Sequence, residues 1–125
     1  LTERLALLLW AATPERPELV ATPLVHALAA RALDCEVEIH FAGPAVRLLV
    51  AGVADNLYAT PARDKSLGDF LREAASEGVH LLACSMAVAN WLAEGDTLIP
   101  ECAGQAGATA FIARSLDPEW RTLVF

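Results

Sequence analysis

The segment Gly78-Val79-His80-Leu81-Leu82-Ala83-Cys84-Ser85-Met86-Ala87-Val88-Ala89-Asn90-Trp91-Leu92 joins two kinds of structure with nothing between them. Val79 to Ala83 is an apolar run of strand length, and Ser85 to about Glu94 reads as a helix. A strand that feeds directly into a helix is half of a βαβ unit, from which parallel sheets covered on both faces are built. Cys84 stands at the junction.

The same alternation continues on either side. Upstream, Arg4 to Ala11 predicts a strand, the two prolines of Ala12 to Pro17 predict a loop, and Glu18 to Leu33 predicts a helix with Pro23 in its first turn or at a kink. Cys35 to Phe41 predicts a second strand, with Cys35, Val37, Ile39 and Phe41 on one face and Glu36, Glu38 and His40 on the other; the polar face places it at a sheet edge. Gly43-Pro44 opens a short helix to about Ala51. Gly52 to Arg63 lacks periodicity and reads as a mobile loop, suited to a lid or docking role. Ser66 is placed to cap a helix through Glu77, with Gly78 as the residue that ends it. Downstream, Thr97 to Ile99 predicts a short strand, Ala103 to Leu116 a helix and Arg121 to Phe125 a last strand. The expectation is a single α/β domain over residues 1–125, three layers around a mostly parallel five-stranded sheet, flavodoxin-like in outline.

At 125 residues the chain has the size of one domain, and 55% hydrophobic with 20% charged residues is the composition of a folded protein. Nine Lys+Arg against sixteen Asp+Glu give a net charge of −7, which leaves no basic surplus to displace counterions from a nucleic-acid backbone. No nucleic-acid partner is expected. Mean hydropathy is positive, +0.41. The longest clean apolar run, Leu5 to Ala12, is nevertheless far short of the roughly 20 residues a spanning helix needs. No membrane span is expected, and without a basic segment before that run the expected location is the cytoplasm.

Cys35, Cys84 and Cys102 are too few for a disulfide framework and are expected as free thiols. There is no Cys-x-x-Cys or His-x-x-x-His, and His80 and Cys84 on one strand lie about 13 Å apart, too far to share an ion. No metal is expected. Trp10-Ala11-Ala12-Thr13 lacks the acidic cluster of a phosphoacceptor receiver, and no Gly-x-Gly-x-x-Gly phosphate loop is present, so no cofactor is assigned. His26 is read as a helix residue and His40 as a solvated residue of an edge strand.

In open parallel sheets chemistry collects beyond the carboxyl ends of the strands, which is where Cys84 falls. Amides at a helix start stabilise an anion, so a cysteine there is drawn below its free pKa of about 8.5 and presents more thiolate; they would equally hold a terminal persulfide anion. The alternative is a small apolar residue closing a buried strand. Cys102, in Leu98 to Gly104, also reads as the end of a strand entering a helix and would face Cys84 across the crevice if the two strands were neighbours. It is then a candidate resolving thiol or second carrier. Ser85 and Asn90 are candidates to donate hydrogen bonds to a persulfide, Ser85 alternatively capping its helix. Cys35 is assigned to the core.

The run Gly78 to Met86, with Leu98-Ile99-Pro100, Gly107 to Ala113 and the closing Trp120 to Phe125, resembles the DsrE/DsrF/TusD-like family of sulfur-relay proteins over almost the whole chain. The resemblance implies that Cys84 accepts sulfane sulfur as a persulfide and exchanges it with the cysteine of a partner, a sulfur-carrier or sulfurtransferase protein. It further implies a homo-oligomer, trimer or hexamer. The competing reading is a structural or regulatory subunit of such an assembly, with inert cysteines.

Overall fold

The computed structural model describes residues 3–125. Strand β1 (Arg4–Leu9) leads to helix α1 (Pro17–Ala32), β2 (Glu36–Phe41), a 3₁₀ segment (Gly43–Leu49), a short 3₁₀ turn (Ala54–Asn56), α2 (Leu67–Ser76), β3 (His80–Ala83), α3 (Ser85–Trp91), β4 (Cys102–Gln105), α4 (Ala108–Leu116) and β5 (Trp120–Val124). The five strands form one sheet in the order β4-β3-β2-β1-β5, and every pairing is parallel. The α/β reading and the five-stranded sheet therefore stand.

The order explains where the helices go. The chain steps in one direction from β1 to β4, then returns through α4 to pair β5 with the far side of β1. Because such crossovers keep one hand, reversing the direction moves the connecting helix to the opposite face. The first face carries the main core, in which Leu7, Ile39, Phe41 and Leu81 of the strands pack with Val20 and Leu24 of α1 and Leu71 of α2, all fully buried. On the second face α4 packs over β5 and β1. There Phe111, Ala6 and Trp120 form a separate small cluster.

Local signals hold where short-range chemistry decides. Ser66 Oγ accepts from the Asp69 amide at 3.1 Å, capping α2, and Gly78 takes the positive φ of +94° that ends it. Pro23 lies inside α1, past its first turn, and is buried. Residues 52–63 fold back on α2: Leu57 O accepts from Leu67 N at 2.8 Å, and the Arg63 guanidinium lies 4.7 Å from the centre of the Tyr58 ring.

Three expectations are corrected. Strand β2 is not an edge: it lies between β1 and β3, and Glu38 and His40 are only 6% and 3% exposed. Its polar face is satisfied by an arginine from α4, described below. Residues 97–99 are not a strand of the sheet; they pair instead with the end of the 3₁₀ segment, Ala51 N donating to Thr97 O and Ile99 N to Leu49 O, each at 2.8 Å. The fourth strand is Cys102–Gln105, which takes the first three residues of the helix expected over Ala103 to Leu116, so the last helix begins at Ala108. Pairing with β3 imposes extended backbone on Cys-Ala-Gly-Gln, which has little strand preference of its own.

Candidate functional site

An apolar pocket of about 170 Å³ opens at the carboxyl end of the sheet, between its second face and the start of α4. Leu8 of β1, His40 of β2, Cys84 and, from α4 and its entry, Gly107, Phe111 and Ile112 line it. Cys84 follows Leu81 and Ala83, which enter the main core; at the end of the strand it lines the pocket while still packing against the edge of that core. Its backbone is pinned twice, its N–H donating to Phe41 O and its carbonyl accepting from Val88 N, both at 2.9 Å. It is the N-cap residue of α3, as its place in the sequence implies, and its thiol is half-buried.

The start of α4 reaches the same pocket because Ala106 N donates to Ala83 O at 2.9 Å, which carries the chain over the end of β3 beside Cys84. Gly107 then caps α4 without any side-chain hydrogen bond. Ala110 N donates to Gly107 O at 3.1 Å, and the positive end of the α4 dipole lies at the pocket wall formed by Gly107 and Ala108, whose exposed surface is almost wholly apolar. Sequence alone places only the start of α3 beside the thiol.

A polar cluster lies beside the pocket wall. Arg114 of α4 holds Glu38 with Nε on Oε1 at 3.1 Å and Nη2 on Oε2 at 2.9 Å, and Glu38 Oε1 also meets His40 Nε2 at 3.0 Å. Burial opposes ionisation of Glu38, but the Arg114 and His40 hydrogen bonds outweigh it and hold the carboxyl below its ordinary pKa. The edge of the Phe111 ring meets the His40 ring at 5.3 Å. His40 Nδ1 is buried and, among the described residues, has no hydrogen-bond partner.

The other sequence candidates fall elsewhere. Ser85 and Asn90 are exposed on α3, and neither lines the pocket. Cys102 is the first residue of β4, opposite Leu81, so it lies toward the amino end of the sheet and not across from Cys84. Its Sγ donates weakly to Gly104 O at 3.4 Å; all three cysteines touch the main core, and of them only Cys84 also lines the pocket. No residue of 52–63 lines the pocket. Trp120 is buried with Arg114 stacked 4.2 Å from its ring centre, while Trp91 remains half-exposed near Arg47. His40, Phe111, Ile112 and Gly107 join the site only through the fold. A usable signal was present for His40: two polar residues alternating with Val37, Ile39 and Phe41 fit a buried ionic pair as well as a solvated edge.

Among the described residues no group of three or more His, Cys, Asp or Glu is placed to hold a metal ion, and no helix is long and apolar enough to cross a membrane. The model of the DsrE/DsrF-like family matches residues 6–125. No match is found among curated proteins. The fold is similar to that of the ychN protein from E. coli, at TM-score 0.72 and 14% identity, with all of both chains covered. It is also similar to MTH1491 from Methanobacterium thermoautotrophicum, described as a protein of unknown function, at TM-score 0.67 and 18% identity over 98% of this chain and 99% of that one.

Proposed function

Because the chain belongs to the DsrE/DsrF-like family, we propose that it is a sulfur-relay protein in which Cys84 carries sulfane sulfur as a persulfide and exchanges it with the cysteine of a partner protein. The observation that carries this reading is the meeting of a half-buried thiol with the start of α4 at Gly107 in one apolar pocket. A persulfide adds one sulfur atom and an anionic end to Cys84. The pocket has volume for the first, and the positive end of the α4 dipole beside it favours the second, while apolar walls limit access of water and competing thiols.

Transfer needs no cofactor. The Cys84 thiolate attacks the outer sulfur of a donor persulfide, the donor's S–S bond breaks, and its inner sulfur leaves as a thiolate; loss of sulfur to an acceptor is the same step reversed. We place the protein in the cytoplasm as a single domain that self-associates. His80 exposed on β3 and Leu82 half-exposed beside it leave part of the second sheet face for another subunit.

The test is intact-mass measurement after the reduced protein meets a small persulfide or polysulfide. Gains of about 32 Da per sulfur, reversed by reductant, located on Cys84 and absent from Cys84→Ser, support the carrier. A folded protein that gains no mass favours the inert subunit.

A further inference from the structure

We infer that His40 is the proton acceptor for Cys84, with Glu38 as its positioning residue. The inference deepens the carrier reading and rests on it. His40 lines the same pocket as the thiol, is 3% exposed, and keeps one ring nitrogen, Nδ1, without any partner among the described residues. A buried unpaired ring nitrogen costs stability unless something engages it, and the pocket is the place where a ligand or thiol can do so. Its other nitrogen is committed: Nε2 meets Glu38 Oε1 at 3.0 Å, and Glu38 is itself held ionised by two bonds from Arg114. An ionised carboxylate can only accept, so Nε2 carries the proton and Nδ1 presents its lone pair.

Glu38, His40 and Cys84 bring an orienting acid, a base and a nucleophile to one pocket, from β2 and the end of β3; the thiol and Nδ1 are not hydrogen-bonded at rest, and the proposal requires them to close on each other, directly or through the bound donor, when sulfur arrives. Arg114 balances the charge of Glu38 at rest, and Phe111 packs the ring in place. The Cys84 S–H proton passes to Nδ1, and the thiolate takes the outer sulfur from the donor persulfide R–S–SH as its S–S bond breaks. The proton on Nδ1 then goes to the departing R–S⁻. The balance is Cys84–SH plus R–S–SH giving Cys84–S–SH plus R–SH, with no oxidant or reductant consumed.

Glutathione persulfide is the probe, and the readout is the rate at which Cys84 gains sulfur by mass. His40→Gln, which preserves side-chain polarity without a base, is expected to load about 100-fold more slowly than the parent protein. His40→Gly is expected to be slow in the same way and to recover with added imidazole, which a merely structural role for the ring would not produce. In Cys84→Ser protein, whose hydroxyl keeps its proton, ¹⁵N imidazole spectra are expected to show Nδ1 unprotonated. Loading of folded His40→Gln within about threefold of the parent overturns the inference, as does a proton on Nδ1 in Cys84→Ser; the second measurement decides even if neither His40 variant folds. Parent protein that gains no sulfur at all defeats the carrier reading itself, a distinguishable result.

Discussion

Arg114, near the end of α4, grips Glu38 in the middle of the sheet with two parallel hydrogen bonds across a sequence separation of 76 residues. The bond pair ties α4 on the second face to a central strand and neutralises the carboxylate of Glu38, a residue only 6% exposed. It also sets the wall of the pocket, because the same helix contributes Phe111 and Ile112.

Arg114→Met should therefore destabilise the protein although Arg114 itself is half-exposed. Removing one partner of a fully buried pair costs about 3–5 kcal/mol; with the exposed guanidinium screened by water, about 1–3 kcal/mol is expected from urea unfolding. A change below about 0.5 kcal/mol would mean that Glu38 finds another partner.

The same pair predicts the direction of acid sensitivity. Glu38 has a depressed pKa in the folded protein, so its contribution is fully present above the unfolded carboxyl value and is lost as pH falls through the folded one. The stability difference between parent and Glu38→Gln should shrink from about pH 5 downward, measured by urea titrations at several pH values. A difference that grows on acidification contradicts this.

Cys102 should not form a disulfide with Cys84. It pairs with Leu81, and three residues of strand, about 10 Å, separate Leu81 from Cys84, beyond the roughly 7 Å that a disulfide tolerates between Cα atoms. Mild oxidation followed by non-reducing peptide mapping should give no such link in the folded protein, and Cys102→Ser should load sulfur like the parent.

Ile112 is 53% exposed at the mouth of the pocket, so charge can be placed there at little cost in stability. Ile112→Glu should slow alkylation of Cys84 by iodoacetate relative to iodoacetamide, and Ile112→Lys should speed it, by several-fold at low salt. Equal ratios in the two variants would show that reagents enter by another route.

Gly68, in the first turn of α2, is required by a close approach. A Cβ there would sit 2.0 Å from Asp55 Oδ1 and 3.1 Å from Asp55 Cα, pushing away a carboxylate that Arg72 holds at 2.8 Å. Gly68→Ala should cost about 1–3 kcal/mol in thermal or urea unfolding, despite the better helix propensity of alanine.

Features that depend on neighbours along the chain were readable in the residues: the Ser66 cap and Gly78 terminus of α2, the apolar strands β1 and β3, and Cys84 at a strand-to-helix junction. Capping, turn geometry and side-chain periodicity act over a few residues, so the order of amino acids alone dictates them. Tertiary contact decided the rest. A strand with a charged face became central because Arg114, distant in sequence, meets its carboxylate, and Cys-Ala-Gly-Gln became a strand because β3 offered it an open edge. The residues around Cys84 likewise came together only through folding: His40 from β2 and the start of α4 line one pocket because the crossover to β5 reverses direction, and long-range placement of that kind leaves no local pattern to read.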